Sequence, residues 1–447
     1  MRYQAFFCAL LIMAIFASLG TPPARAYAYD GLPEVEVFAA AALLVDADAG
    51  TYLFEKNIHD RREPASLTKI MTCMLALEII GDEWDIRKDE TVTVTPEAFT
   101  DITAESSTSG LKAGEMIRLE DLIYCVMLQS ANEGSNVLAI HLLGSTASFV
   151  DHMNRRAKEL GCESTHFANP HGLPHAEHYT TALDVYTLAE QAVKTPHFMT
   201  VAHTNRYVVP ATNKSAERIL NTTNRLISTS AVSEYYYPAA KGIKTGFTDN
   251  AGYCLASTAE KDGRRLVSVV MGAEPNRHFI ETKLLFDWGF ENFTQKRLLA
   301  KTQMLAQVEV RNGIDKDHVT LVPEQEIVAL VPKNLDPEEV TRKVSLHHPE
   351  GMYAPILRDE ILGTVTLEYE GHVYGTVNLL ASFSIEENTA MVFLLNVREW
   401  FSKTWIKRTL GALAALVLLY VALTVALNLR RQRERNRKPG NYRGRRR

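Results

Sequence analysis

The 447-residue sequence predicts an α/β domain, a small all-β domain and a C-terminal membrane-spanning helix, in that order. Between residues 27 and 292, segments of strand composition alternate with apolar runs of helix length, which is typical of an α/β domain. After residue 295 only short strand-like segments follow, and they predict an all-β domain over residues 295–390. Thr409–Leu429 carries no formal charge and is long enough to cross a bilayer.

Both ends of the chain predict export to a membrane surface. Residues 1–26 combine Arg2, a short apolar run and the small-residue pattern Ala24-Arg25-Ala26, which predicts a cleaved signal peptide. Residues 391–408 are predicted to be a juxtamembrane linker, and residues 430–447 form a tail with ten Lys or Arg and one Glu. Since the more basic flank stays in the cytoplasm, we expect a single-pass cell-membrane protein whose body lies on the extracytoplasmic face.

The distribution of charge along the chain restricts the kinds of binding partner that can be expected. The formal net charge is -5, but the tail contributes +9 and the first 26 residues +2, which leaves -16 for the body. A strongly acidic body is poorly suited to a polyanion, so no nucleic-acid partner is expected. The membrane itself is the expected partner of the basic tail, through anionic lipid.

Local patterns predict the elements of each domain. In the first domain the predicted strands are Ala40–Val45, Thr51–Phe54, Thr91–Thr95, Tyr253–Ala259 and Arg264–Met271, the last two joined by a turn at Lys261-Asp262-Gly263. The predicted helices are Ser66–Ile80, Leu119–Leu128, Gly134–Leu143, Thr181–Val193 and Leu284–Phe290. The all-β domain is predicted to contain Leu305–Val310, His318–Val322, Glu326–Leu330, Val340–Leu346, Leu362–Tyr369 and Val373–Phe383.

Ser66 and Lys69 stand at the start of a helix that is apolar on nearly every side. Their spacing of three residues places both side chains on one helix face. Taken alone, a Ser before an apolar run is more often a helix cap. If the helix is buried, however, a Lys that is costly to charge can accept the proton of the Ser hydroxyl.

Two further motifs share this chemistry. Ser130-Ala131-Asn132 follows the apolar helix Leu119–Leu128, and Lys244-Thr245-Gly246 lies in a strand that enters a hairpin. Each tripeptide is a weak signal by itself. The three motifs in this order, in an exported and membrane-tethered chain, indicate acyl transfer at a serine.

With these motifs the chain resembles the low-molecular-weight penicillin-binding proteins of the serine-type D-alanyl-D-alanine carboxypeptidase family, from about residue 31 to 387. The resemblance implies an antiparallel sheet flanked by helices, an all-helical part beside it and a β-rich domain after the catalytic one. Other segments that carry it are Glu63–Lys69, Gln129–Asn132, Asn169–Leu173, His178–Ala182 and Asp287–Phe290.

The resemblance also implies a substrate and a set of roles. The substrate is a peptidoglycan stem peptide that ends in D-Ala-D-Ala, and β-lactam antibiotics are covalent inhibitors. Ser66 is the acylated nucleophile and Lys69 its base, while Ser130 relays a proton with the help of Lys244. The expected substrate-binding residues are Asn132, Lys244, Thr245, Gly246, Phe247 through its backbone, and Arg277 for the terminal carboxylate.

The chain departs from the family pattern in three places. Position 247 is Phe, at a site that varies in the family, and a spanning segment stands where an amphipathic C-terminal helix is common. The segment before Asn169-Pro170 is His166-Phe167-Ala168, so the acid that related lactamases use for deacylation has no clear equivalent. We therefore expect slow release of bound penicillin, and so inhibition instead of resistance.

The histidines and cysteines raise two alternatives. Four histidines fall within residues 162–180, but no His-Glu-x-x-His or helical pairing brings two of them together, so no metal and no other cofactor is predicted. Four cysteines remain after the signal segment: Cys73, Cys125, Cys162 and Cys254. Export permits disulfides between them, but Cys73 and Cys125 fall in apolar helical runs and are predicted to be small core residues.

Two other functions stay open at this point. A β-lactamase would share the three motifs, although the missing acid, the second domain and the membrane segment disfavour it. A wall-binding protein without turnover would share the fold, but would be expected to have lost a motif residue, and none is missing.

Overall fold

The structure is a computed structural model that describes residues 32–103, 105–229, 234–349 and 351–435. They form two compact units. One runs to Lys296 and includes Ala329–Pro337, and the other comprises Arg297–Val328 and the chain from Glu338 onward. The predicted signal peptide and the tail beyond residue 435 lie outside the described residues.

The first unit combines strands and helices. Its strands are β1 (Ala41–Asp46), β2 (Thr51–Lys56), β3 (Thr91–Thr93), β4 (Met116–Arg118), β5 (Arg206–Val209), β6 (Arg218–Asn221), β7 (Ala240–Thr248), β8 (Gly252–Lys261) and β9 (Arg264–Ala273). Its helices are α1 (Thr68–Ile80), α2 (Trp84–Arg87), α3 (Leu119–Leu128), α4 (Asn132–Leu143), α5 (Thr146–Glu159), α6 (Ala182–Lys194), α7 (Phe198–Ala202) and α8 (Arg277–Asn292).

Five of these strands form an antiparallel sheet in the order β2-β1-β9-β8-β7. The β8–β9 hairpin turns at Asp262 and Gly263, whose φ angles of 52° and 74° suit a primed turn. In this order β7 is an edge strand, so one side of its backbone is free of sheet partners and can face the helical part.

The helical part is organised around α1. Of its residues only Glu78 and Ile79 are more than marginally exposed, because the sequence is apolar on nearly every side. It contacts α3, α4 and α6, and the core that these helices share extends to the inner face of the sheet. The start of α1 and the turn before it thereby lie against β7.

Several elements differ from the sequence-based expectation. The helix predicted to begin at Ser66 begins with a 3-10 turn, Ala65–Leu67, before α1. Helix α5 was not predicted, because only Phe149, Met153 and Ala157 on its inner stripe are buried in an otherwise polar segment. Helix α8 begins at Arg277, seven residues before the predicted start, since its first two turns mix polar and apolar side chains.

The second half of the chain contains β10 (Phe293–Leu299), β11 (Ala306–Arg311), β12 (His318–Pro323), β13 (Ile327–Pro332), β14 (Thr341–Leu346), β15 (Met352–Tyr353), β16 (Ile361–Tyr369) and β17 (His372–Ala381). Six strands form a sheet in the order β14-β16-β17-β12-β11-β15, which confirms the predicted β-rich domain. The predicted strand at Glu326–Leu330 corresponds to β13, which pairs with β10 outside this sheet.

Two helices follow, α9 (Thr389–Ser402) and α10 (Thr404–Arg435). The predicted linker is therefore largely helical, and Asn388 caps α9 by accepting a hydrogen bond from the backbone N–H of Met391. Within the described residues, α10 is the one helix long and apolar enough to cross a membrane. It is longer than Thr409–Leu429 because helical structure continues into the flanking basic residues.

Candidate active site

Ser66 and Lys69 lie at the junction of the 3-10 turn and α1. The Nζ atom of Lys69 is 3.0 Å from Ser66 Oγ. Ala65 and Lys69 are almost completely buried, while Ser66 lines an open cleft, so the hydroxyl is accessible and the amine is not.

The amine of Lys69 is surrounded by oxygen atoms that carry no charge. Besides Ser66 Oγ, its Nζ lies 2.6 Å from Asn132 Oδ1 and 2.6 Å from the carbonyl oxygen of His171. A neutral amine can donate its two N–H groups to these carbonyl oxygens and keep its lone pair for the Ser66 hydroxyl. Burial lowers the pKa of Lys69 well below its usual range, and the nearby Lys244 lowers it further. The site can therefore supply a base.

Ser130 and Asn132 lie where α3 passes into α4. Ser130 has a φ of 59°, a left-handed conformation that is uncommon outside glycine and that turns the chain sharply between the helices. Its Oγ is buried and has no hydrogen-bond partner among the described residues. Asn132 begins α4, and its side chain reaches Lys69. Ser130 thus offers an uncommitted hydroxyl in the cleft that Ser66 also lines.

Strand β7 supplies the opposite wall. Lys244 is buried, its Nζ donates to the carbonyl oxygen of Thr245 at 3.0 Å, and burial lowers its pKa to about 8. The Thr245 hydroxyl lies 2.7 Å from that of Thr223. The Phe247 side chain is 48% exposed, so its ring is not part of the hydrophobic core.

Gly246 is where β7 approaches the nucleophile most closely. A Cβ added at this position would lie 3.1 Å from the backbone N of Ser66 and 3.2 Å from that of Leu67. A side chain here would force β7 and the backbone at Ser66 slightly apart, and the Ser66 N–H is a candidate donor to an oxyanion. A second close approach occurs at Gly172, with a φ of 92°, where a Cβ would collide with the carbonyl of Ala65.

These residues surround a cleft of about 820 Å³. The predicted site residues that line it are Ser66, Ser130, Asn132, Thr245, Gly246 and Phe247, while Lys69 and Lys244 lie behind its surface. No hydrogen bond joins Lys244 to Ser130 within the part of the chain that the structure describes. The three motifs, far apart in sequence, are therefore brought to one cleft.

Arg277 is not brought into this cleft. Its guanidinium pairs with the buried carboxylate of Glu281 at 3.2 Å and lies over the ring of Phe38, 4.3 Å from the centroid. Glu281 in turn accepts the backbone N–H groups of Phe38 and Ala39. Arg277 thus fastens the segment before β1 to α8, and it is not among the residues that line the cleft.

Sequence reasoning missed a set of groups that shape the site. Glu133, directly after Asn132, accepts hydrogen bonds from the Thr108 hydroxyl and the Ser109 N–H, and so fixes the loop above the cleft. His171 donates from Nε2 to Asp101, 2.9 Å away, because its Nδ1 accepts from the N–H of Leu173. The adjacency of Glu133 to the second motif was the available signal.

The other three histidines of the loop form hydrogen bonds with neighbouring residues of the chain. His178 lies 2.8 Å from the Thr68 hydroxyl, His166 contacts the carbonyl oxygen of Glu177, and His175 accepts the Glu177 N–H. No group of three potential metal ligands is found among the described residues. The four cysteines after the signal segment are buried and unpaired.

Two protein-family models match this chain, and together they cover both of its folded parts. The model of the D-alanyl-D-alanine carboxypeptidase family matches residues 29–275, and that of the penicillin-binding protein 5 C-terminal domain matches residues 293–387. The chain belongs to the D-alanyl-D-alanine carboxypeptidase family. It is a serine-type carboxypeptidase, as the three motifs predicted, with a role in the cell wall.

Individual relatives agree with this assignment. D-alanyl-D-alanine carboxypeptidase DacF of Bacillus subtilis is 30% identical over 357 residues, which cover 80% of this chain and 88% of the relative. The structure of penicillin-binding protein 5 from Haemophilus influenzae matches with a TM-score of 0.60 and 27% identity, over 80% of this chain and all of the other. Penicillin-binding protein 6B of Escherichia coli matches at 0.61 and 26%, with the same coverage.

Proposed function

We propose that this carboxypeptidase removes the terminal D-alanine from peptidoglycan stem peptides through an acyl-enzyme on Ser66. The Ser66 Oγ attacks the carbonyl carbon between the two D-alanines, and Lys69 accepts the hydroxyl proton. As the C–N bond breaks, Ser130 passes a proton to the leaving amine, and free D-alanine departs. Water then hydrolyses the ester and restores Ser66.

The observation that carries this proposal is the environment of Lys69. Its amine is fully buried, it lies 3.0 Å from Ser66 Oγ, and no carboxylate hydrogen-bonds to it among the described residues. A buried lysine with only neutral partners favours the uncharged form, because burial penalises the charge. An uncharged amine at hydrogen-bond distance from a hydroxyl is the arrangement that general-base activation of a serine requires.

Substrate binding follows from the edge of β7. An extended peptide can add to this edge as a further strand, with its amide also bonded to Asn132. The developing oxyanion lies against the backbone N–H groups of Ser66 and Phe247, where the absence of a side chain at Gly246 supports a close approach. Lys244 and Thr245 face the terminal carboxylate of the peptide.

In this proposal β-lactams acylate Ser66 as well, and the resulting acyl-enzyme is hydrolysed slowly. Neither Ser66 nor Lys69 is hydrogen-bonded to a carboxylate in the described ranges. Glu105 and Asp249 line the cleft, but neither is hydrogen-bonded to Ser66 or Lys69, so neither is placed by such a bond to orient water onto a penicilloyl ester. Inhibition, not resistance, is the expected outcome of exposure to penicillin.

The test is release of D-alanine by the detergent-solubilised full chain from a peptide that ends in D-Ala-D-Ala. We expect turnover by the wild type and loss of about 10⁴-fold or more in Ser66→Ala, because the nucleophile is removed. Ser345→Ala, an exposed Ser in β14, is the matched control and should leave the rate unchanged. Equal release by wild type and Ser66→Ala would overturn the proposal.

Fluorescent penicillin separates the remaining possibilities. A labelled adduct that persists for hours supports inhibition, whereas rapid loss of label with turnover would favour a β-lactamase. A chain that neither releases D-alanine nor takes the label would be a binding protein without catalysis.

We also propose that residues 1–26 direct export, that α10 anchors the chain through Thr409–Leu429, and that residues 430–447 stay in the cytoplasm. The apolar surface of α10 and its basic flank support this orientation. A protease added to intact cells should spare an epitope placed after Arg447 and digest the catalytic unit. Digestion of the epitope without permeabilisation would contradict the orientation.

A further inference from the structure

The end of β7 presents an exposed aromatic ring and a carboxylate to the cleft. Phe247 and Asp249 both line the cleft, and both side chains are exposed to solvent. The Phe247 ring packs against that of Tyr253, with 4.3 Å between the centroids, so its orientation is fixed from one side. An apolar ring that is held in place and left open to a cleft offers a surface to an apolar group of a ligand.

The turn that carries Asp249 is fixed by its neighbours in the chain. The Thr248 hydroxyl accepts the Ala251 N–H at 3.1 Å and donates to Glu63 Oε2 at 3.5 Å. Asn250 Nδ2 donates to Glu63 Oε1 at 3.1 Å. Side chains alternate in direction along an extended chain. Asp249 therefore lies between two side chains that are tied to Glu63, and its own carboxylate has no part in these bonds.

Asp249 is an anion without a counter-ion. Among the described residues no lysine, arginine or histidine pairs with its carboxylate, and no hydrogen bond engages it. Glu105, in the loop above the cleft, also lines the cleft and is likewise unpaired within the described ranges. Two unpaired carboxylates on its walls give the cleft a negative potential, which attracts a cationic group of a ligand.

The direction of the bound peptide brings one particular side chain to this place. With its terminal carboxylate at Thr245 and its reacting carbonyl at the Phe247 N–H, the peptide runs antiparallel to β7. The residue before the D-Ala-D-Ala pair therefore lies past Phe247. At about 3.3 Å per residue, Asp249 is at most about 7 Å beyond Phe247 along the strand. A long side chain on that residue of the peptide can span this separation.

We propose that Asp249 and the Phe247 ring select stem peptides whose residue before the D-Ala-D-Ala pair carries a free amino group on an aliphatic stem. This inference rests on the carboxypeptidase reaction proposed above and names its preferred substrate. The methylene groups of such a side chain cover the exposed ring of Phe247, and its ammonium group donates to the Asp249 carboxylate. A side chain without the charge loses the second contact, and one without the stem loses both.

The test measures kcat/KM for D-alanine release by the full chain in detergent. Three peptides end in D-Ala-D-Ala and differ only in the residue before that pair, which is lysine, norleucine or alanine. In the wild type the lysine peptide should exceed the norleucine peptide by about three- to tenfold, because only lysine pairs with the carboxylate. The norleucine peptide should exceed the alanine peptide severalfold, because its stem covers the ring.

Three variants assign these preferences to their residues. Asp249→Asn should reduce the lysine-to-norleucine ratio to about one, and Asp249→Lys should prefer a glutamate peptide over the lysine peptide. Phe247→Ser keeps the backbone N–H and should reduce only the norleucine-to-alanine ratio. Asp262→Asn makes the same chemical change as Asp249→Asn at an exposed position in the β8–β9 turn, at the far end of β8, and should keep the wild-type ratios.

The outcomes separate the two proposals. No D-alanine release by wild type from any peptide would overturn the carboxypeptidase reaction itself. Release with an equal lysine-to-norleucine ratio in wild type and Asp249→Asn would overturn the role of Asp249 and leave the reaction standing. The same loss of that ratio in Asp262→Asn would assign the preference to the overall charge of the chain. A norleucine-to-alanine ratio that survives in Phe247→Ser would overturn the role of the ring.

Discussion

The cleft has two different walls. In the wall formed by α1 and α4 (the helical wall) the reactive groups are hydrogen-bonded to one another in a closed network, whereas in the wall formed by β7 and the start of α8 (the strand wall) several side chains are exposed and remain open to a ligand. On the helical wall Lys69 is bonded to three oxygen atoms, two of them at 2.6 Å. On the strand wall Arg225 is exposed and forms no ion pair with a carboxylate among the described residues, and Phe247 is half exposed. The helical wall is built for proton transfer at a fixed geometry, and the strand wall is built to receive a peptide.

The two lysines show the same difference. Burial lowers the pKa of Lys69 well below its usual range, but lowers that of Lys244 only to about 8. At neutral pH Lys244 therefore retains most of its charge, while Lys69 is the one suited to act as a neutral base. One fold thus provides a base on one wall and a cation on the other.

The largest effect that tests this contrast is expected from Lys69→Met. The substitution keeps much of the side-chain volume and removes the base, so acylation by fluorescent penicillin should slow by about 10³- to 10⁴-fold. Lys301→Met, at an exposed position, is the matched control and should acylate at the wild-type rate. Thermal unfolding must remain cooperative, since Asn132 Oδ1 and the His171 carbonyl lose a donor. A folded Lys69→Met that acylates within tenfold of wild type would remove the distinction between the walls.

A smaller effect is expected where the walls meet. Gly246→Ala places a methyl group 3.1 Å from the backbone N of Ser66, so either β7 or the backbone at Ser66 must move slightly apart. A displacement of this kind weakens oxyanion stabilisation and should reduce kcat by about a hundredfold. Gly411→Ala, where an added Cβ meets no atom within 4 Å, makes the same chemical change without the contact. Equal kcat values for the two variants would show that the close approach is not needed.

The helical wall could be predicted from sequence because its geometry is local. Ser66 and Lys69 are fixed by one helical turn, and the apolar run after them made burial of the amine predictable. Asn132 reaches Lys69 because α4 starts there, which its motif indicated. The oxygen partner from His171 could not be foreseen, since it depends on a loop about 100 residues away.

The strand wall was predicted less well because its side-chain directions are set by distant contacts. Neighbouring helical residues point about 100° apart, so a single position separates Arg277, facing Phe38, from His278, facing the cleft. The direction of Arg277 is fixed by Glu281, which also binds the backbone before β1, some 240 residues earlier in the chain. No local pattern around Arg225 indicated that it would line the same cleft.

The smallest effect concerns stability in acid, and it compares one buried histidine behind each wall. Burial lowers the pKa of His178 to about 3 and that of His278 to about 4, whereas an unfolded histidine has a pKa of about 6.5. The unfolded chain therefore binds more protons than the folded chain below pH 6.5. Stability is then lost as pH falls from about 6.5 toward 4, by an amount on the order of 2 kcal/mol per histidine.

The two histidines should differ at pH 7, because only His178 is bonded on both nitrogens. Its Nδ1 accepts the Ala168 N–H and its Nε2 donates to Thr68, whose hydroxyl in turn donates to the Ala65 carbonyl beside Ser66. His178→Gln should therefore lower the free energy of unfolding at pH 7 by about 1–3 kcal/mol, and His278→Gln by less. In denaturant titrations, both variants should reduce the loss of unfolding free energy between pH 7 and pH 5. His59→Gln, at an exposed position, is the control and should leave that loss unchanged. If His278→Gln proved the more damaging at pH 7, the strand wall would hold a structural network like that of the helical wall, and the contrast between a closed and an open wall would fail.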